Sequence, residues 1–543
     1  MIPAGCALLA LALSSPAAGP SHSGKSTDAK LALSGLPPAK IIPNLCLLKY
    51  RISTASPDCQ AYFDQGLGYL YSYVWMEAAR SFETATRYDP DCAMAWWGLS
   101  RALERWGKSN HTKALQKAND LKDHASHREQ LLILARMQEK GMAPGVGGSE
   151  ARKQAAIRTI DELLALYDDD EEGWFYRAQL AGGAGLFGGQ LSAVPYYKAL
   201  VRLNPLHPAG NHELLHFYEG YKRPALGWLY AENYIKSSPG IPHPFHMQAH
   251  LATRLGRWDK TSDRSARAIE LQRAYHKEMN VKPQDDHQFS HHLEILTLSL
   301  IHDGRFREAR AIKDEMLGYG MQLWQPWFRL ALAERNWADA LKMVQHFRKN
   351  DKQTASYLAA LLYLKQDDHA RAAAEVEVLR QAFQSRKDDQ VLQYRIWETQ
   401  GLLLCEQGAA DAGLKLLAKA ADKSKSDYGH HSWGNGAYFM DAWGIAALRA
   451  HKDAVAEEAF LESLAHDPGS LRAALGLHVL CQRQGRTEEA GRYLELAHRA
   501  WRKADSQSFA AELAALRSGE LATKNTKINE KISSQESSRA VRN

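Results

Sequence analysis

The chain has 543 residues, with 68 Lys+Arg against 62 Asp+Glu, 23 His and a net charge of only +6 at pH 7. Charge that evenly mixed excludes an acidic-tail protein and a dedicated nucleic-acid binder, which needs a concentrated basic face. A hydrophobic fraction of 45% excludes wholesale disorder, and no apolar run reaches the roughly 18 residues of a membrane span. Length alone suggests about three or four domains. Val and Ile together number 29, too few for a large sheet, so the expected fold is mostly helical.

In chain order, Cys6 to Ser15 read CALLALALSS and are followed by PAAGPSHSGKST. A short apolar core, then small residues, then a polar segment is the order of a secretory signal peptide, here residues 1–19 with cleavage near Ala17 to Gly19. The usual basic start is missing, since no Lys or Arg precedes Lys25. The expectation is an exported protein: periplasmic, envelope-associated or extracellular. Residues 20–56 form a Pro- and Ser-bearing lead-in.

Residues 59–92 read CQAYFDQGLGYLYSYVWMEAARSFETATRYDPDC, with small Gly66 and Ala78 where two helices would touch. Tyr62, Tyr69 and Phe82 would fill the space between those helices and the next unit. Pro90 ends the second helix, because it cannot donate a backbone hydrogen bond. The pattern returns at 437–470 with Trp443, Gly444, Ala456, Phe460 and Pro468 in equivalent places. Turn-plus-helix pieces recur between them at 255–269, 303–312, 335–344, 366–376 and 407–417.

This spacing matches the 34-residue tetratricopeptide (TPR) pattern. From about 57 to 517 the chain resembles that family, and within it predicted exported bacterial TPR proteins of unassigned function. The blocks Phe63 to Gly98 and His207 to Trp258 carry the likeness. The resemblance implies an all-α, TPR-like solenoid of about nine or ten antiparallel helix pairs, with an irregular central section at about 140–290. It implies a concave face that binds peptides or protein segments, and no reaction. Nearest-neighbour stacking makes the array one structural domain, capped by a last helix around Glu488 to Arg517. Residues 518–543, polar and without aromatics, read as a disordered tail. Cys46, Cys59, Cys92, Cys405 and Cys481 are an odd set and not a disulfide framework. Cys59 and Cys92 lie one repeat apart, and helix spacing of about 8–10 Å argues against a bridge.

Two motifs invite chemistry. Gly183 to Gly188 spells GxGxxG, but a helical segment precedes it and no strand, so it reads as an inter-repeat loop. His212-Glu213-Leu214-Leu215-His216 spells HExxH, the zinc-peptidase motif with Glu as general base. A sharper pattern overlaps it. His212 and His216 are four apart, His246 and His250 are four apart, and the pairs are 34 residues apart. In TPR register, as the resemblance implies, His212, His216, Glu219, His243, His246, His250, Arg254, His291 and Glu294 fall on the concave face. They could line a peptide groove, bind a divalent metal through His212, His216, His246 and His250, or only pack. Trp96, Trp97, Trp324, Trp327, Trp397, Trp433 and Trp443 recur at helix-packing spacing and read as core.

The expected function is a non-catalytic, exported scaffold for a protein or peptide partner, with no nucleic acid, no cofactor requirement and no membrane span. The alternative is a metal-binding protein, or a zinc-dependent hydrolase centred on the HELLH segment at 212–216. A purely architectural envelope component is a third reading.

Overall fold

The computed structural model describes residues 30–145, 147–183, 189–322, 324–425 and 435–517. The expected signal peptide, residues 184–188 of the glycine run, Trp433 and the polar tail lie outside the described residues. So does the side chain of Trp324.

Among the described residues there are α-helices and no strands. Twenty-four helices, from Pro57–Leu70 to Thr487–Ala500, pack in sequence as twelve hairpins. A further helical stretch at 508–517 follows a break at 501–507, so the expected single capping helix is two pieces. Sequence reading counts nine or ten pairs, because a hairpin such as that of residues 127–166 has no aromatic residue to mark it. In the central section Pro208–Gly220, Pro224–Ser237 and Pro242–Arg254 are ordinary hairpin helices, whereas Glu171–Ala178 runs into a kinked segment at Gln179–Gly183 and Trp258–Met279 is 22 residues long.

Local chemistry explains the boundaries. Proline occupies the first turn of the helices beginning at 57, 208 and 242, where its missing N–H costs nothing. Ser56 caps the first helix by accepting from the Cys59 amide. Turns within hairpins pass through a left-handed residue, including Tyr73, Lys222, Gly256, Gly304, Arg335, Asp367 and Gly408. Packing repeats as well. The Phe82 ring lies between Gly66 and Gly98, and a Cβ at either glycine would stand 2.6–2.7 Å from it. Phe460 lies in the same way between Gly444 and Gly476. Small residues therefore set how closely successive hairpins stack. Trp97, Trp327 and Trp443 are buried in this core, and Trp96 and Trp397 are half-buried.

The array curls back on itself twice. The turn of the first hairpin, Tyr71 to Tyr73, reaches the middle of the chain. Tyr71 O accepts from His212 Nδ1 at 2.7 Å, and Tyr234 donates to Ser72 Oγ at 2.7 Å. In the second closure, Trp258 stacks on His302 at 3.8 Å and donates to Asp467, while Trp501 donates to His302 O at 2.6 Å. Gly256 and Gly469 meet backbone to backbone here, and a Cβ at 469 would stand 2.1 Å from Gly256 O.

The lead-in does more than its sequence suggests. Residues 31–53 run extended over the first hairpins, and Leu31, Leu45, Leu48, Tyr50 and Ile52 are buried. Side chains hold its amides: Glu83 accepts from Leu33, Thr84 from Ala39, Gln65 from Ile42, Asp64 from Tyr50, and Glu129 from Ser53 at 2.7 Å. The first hairpins thus already hold a strap of non-helical chain, their own.

Candidate functional site

Three consecutive first helices of hairpins, Pro208–Gly220, Pro242–Arg254 and Phe289–His302, carry the histidines. The first two start 34 residues apart, so the i,i+4 pairs are in matching register. The third starts later because Trp258–Met279 has 22 residues.

The histidines converge, but not on an open groove. His212, His216, His243, His246 and His250 are all buried, as are Glu219 and Glu213. The first closure explains this for three of them: the Tyr73 ring lies 4.5 Å from His212, 5.9 Å from His216 and 5.7 Å from His243. The expectation of a solvent-facing wall is corrected for these residues. His291, Glu294 and Arg254 stay part-exposed, and His291 pairs with Glu294 at 3.5 Å.

Two groups form. His212, His216 and His243 bring one nitrogen each within 4.8 Å of one another, and so do His246, His250 and His291. His243 Nε2 is 3.0 Å from His212 Nε2, and His250 Nε2 is 2.8 Å from His246 Nε2. The groups adjoin, with the His243 and His246 ring centres 5.8 Å apart. His250 Nδ1 is 3.2 Å from both oxygens of Glu219, and Arg254 Nε is 3.6 Å from one of them.

Burial sets the protonation states. It pushes His212, His243 and His246 well below the usual imidazole range, helped by neighbouring histidines. Burial also lowers His216 to about 4, against a small opposing pull from Glu219. These rings are neutral at pH 7. Glu213, the would-be general base of HExxH, is instead raised by burial to about 8 and accepts from Tyr73 at 3.0 Å. A carboxyl held protonated is poorly suited to act as a general base at neutral pH, which weighs against the hydrolase alternative.

Sequence reading missed His292, which stacks on His246 at 3.9 Å and bonds Gln272. It also missed His207, which caps its helix by accepting from Gly210. His291 and His292 are adjacent, and spacing alone could not say which faces which neighbour. Cys59 and Cys92 were expected to stand apart. They remain free thiols, but their sulfurs and an Asp89 oxygen lie within 4.8 Å, because the side chains bridge the gap between helices.

The tetratricopeptide-repeat family pattern matches residues 63–126 and 326–387. The chain carries tetratricopeptide repeats. Both matched segments of this TPR chain fall on hairpins described above, one at each side of the histidine-rich centre. No curated protein matches it. Solved structures aligned with it include a human IFIT1 dimer with m7Gppp-AAAA, at 16% identity and a TM-score of 0.28, covering 82% of this chain and 90% of that one. A monomeric IFIT1 mutant with Gppp-AAAA gives 15% identity and 0.28 over 83% and 91%. Likeness at that level is too low to carry structural or functional reasoning for the TPR chain.

Proposed function

We propose that this TPR protein is a non-catalytic scaffold that binds an extended segment of a protein partner outside the cytoplasm. The observation that carries this reading is an open chamber of about 750 Å³ lined by the C-terminal repeats. Its wall includes Tyr357, Lys365, Arg395, Tyr438, Arg449 and Glu398. The first half shows how such an array holds extended backbone, through carboxylate and amide side chains on the amides of residues 33–53.

The chamber's cations stand beside carboxyl groups. Arg472 pairs with Glu512 at 3.0 Å, and Tyr357 donates to Glu398 at 2.7 Å. A polypeptide carrying both signs of charge suits this wall better than a polyanion, so the partner is protein and not nucleic acid. Lys365 shares the wall with Arg449 and Arg472, whose like charges oppose its own. A partner carboxylate placed there would relieve that repulsion.

Peptide-display selection on the purified protein tests this. Selected peptides should lose at least tenfold in affinity with Lys365→Glu or Arg449→Glu. Failure to select any peptide, or binding unmoved by both variants, would overturn it. Export rests on the apolar run at Cys6 to Ser15. N-terminal sequencing of protein recovered from its host should then begin after about residue 19, and an intact start in the cytoplasm would contradict it. No helix among the described residues is long and apolar enough to cross a membrane.

A further inference from the structure

We infer that the buried histidines form two adjacent transition-metal sites, one held by His212, His216 and His243 and the other by His246, His250 and His291. This does not depend on the scaffold reading.

Convergence is the first ground. Two imidazole nitrogens bound to one tetrahedral ion, with bonds of about 2.0–2.1 Å, stand about 3.3 Å apart. The facing nitrogens here are 3.0 Å apart in one group and 2.8 Å in the other. Opening each facing pair by a few tenths of an ångström would bring it to that spacing, and the third nitrogen of each group lies within 4.8 Å of both. The three ligands of each group come from two helices, so the stacking of hairpins fixes the geometry.

Orientation is the second ground, and it recurs independently in both groups. His212 Nδ1 donates to Tyr71 O at 2.7 Å, which fixes the proton on Nδ1 and turns the Nε2 lone pair into the cluster. His250 Nδ1 donates to the Glu219 carboxylate at 3.2 Å, with the same result for its Nε2. A backbone carbonyl or a carboxylate behind the imidazole is the outer-shell arrangement that orients metal-bound histidine. Each group has one such clamp, Tyr71 O behind His212 and Glu219 behind His250.

Composition is the third. No thiolate is present, and all six ligands are nitrogen. That composition suits zinc, copper or nickel, and not calcium or magnesium, which take oxygen.

The two sites differ in access. His212, His216 and His243 are 0%, 5% and 6% exposed. In the second group the His291 side chain is 27% exposed. Each ion would have three protein ligands and a fourth position for a small ligand. The second ion should therefore exchange quickly and the first slowly.

Titration of untagged, chelator-stripped protein with Co(II) and with Zn(II) tests the assignment. Two equivalents should bind, with visible ligand-field bands for four-coordinate cobalt. His212→Ala should leave one equivalent, and so should His250→Ala. Glu219→Gln keeps the side-chain volume and every histidine. It should weaken one site alone, about 10–100-fold, and so decides the matter if an alanine variant misfolds. Folded protein that binds no ion, or only one, would overturn the pair of sites. So would two bound equivalents unmoved by all three variants.

Discussion

Glu213→Gln should stabilise this protein, and by an amount that grows with pH. Glu213 is 3% exposed and its carboxyl is raised to about 8, against an ordinary value of 4.5. A group raised in the folded state contributes stability that is complete below the unfolded value and is lost as pH climbs through the folded one. The native protein must hold Glu213 protonated while the unfolded chain releases the proton. Each pH unit between 4.5 and 8 then costs about 1.4 kcal/mol, or about 3 kcal/mol by pH 7 and roughly 5 kcal/mol by pH 8. Glutamine is neutral throughout, and its amide oxygen can still accept from Tyr73, 3.0 Å away in the native pair. The assay is urea unfolding of both proteins at pH 5, 6, 7 and 8 with a chelator present, followed by tryptophan fluorescence. The gap between the two proteins should widen with pH and level off above 8. A gap independent of pH would mean that Glu213 is ionised in the fold, and would refute both the protonation state and the argument against a peptidase base.

Other consequences are simpler to state. Gly469→Ala puts a methyl group against Gly256 O and should cost about 1–3 kcal/mol; it should also expose Trp258 to quenching, and an unchanged quenching profile would contradict the second closure. Glu129→Ala removes the acceptor shared by Ser53 and Ser126 and should cost about 1–3 kcal/mol, with faster proteolysis within residues 30–56. Cys46 and Cys405, which are half-buried, should react with a thiol reagent well before Cys59, Cys92 and Cys481; equal rates would contradict the packing.

The repeat was legible because hairpin stacking imposes local requirements: glycine where Phe82 and Phe460 press, proline where a helix starts or stops. The histidine pairs were legible for the same reason, since i,i+4 spacing and a 34-residue period survive in any helical register. What hides the histidines was not legible. Tyr73 reaches His212 only because five hairpins complete a turn of the superhelix, and that curvature sums many small stacking angles. No local pattern in 71–73 reports it. The second closure, Trp258 to Asp467, spans 209 positions and is equally silent. The lead-in was opaque because its bonds are made by side chains of other segments, Glu83 and Glu129 among them, onto a backbone with no pattern of its own. Glu213 reads as a catalytic base in sequence and stands as a buried acid in space, because its partner Tyr73 comes from a distant turn.

Anomalous diffraction at the zinc edge, from crystals of the full chain equilibrated with Zn(II), addresses the central claim most directly. Two peaks are predicted, one amid His212, His216 and His243 and one amid His246, His250 and His291, with the facing Nε2 atoms opened to about 3.3 Å. Density for imidazoles still in direct nitrogen–nitrogen contact, with no anomalous peak between them, would contradict it.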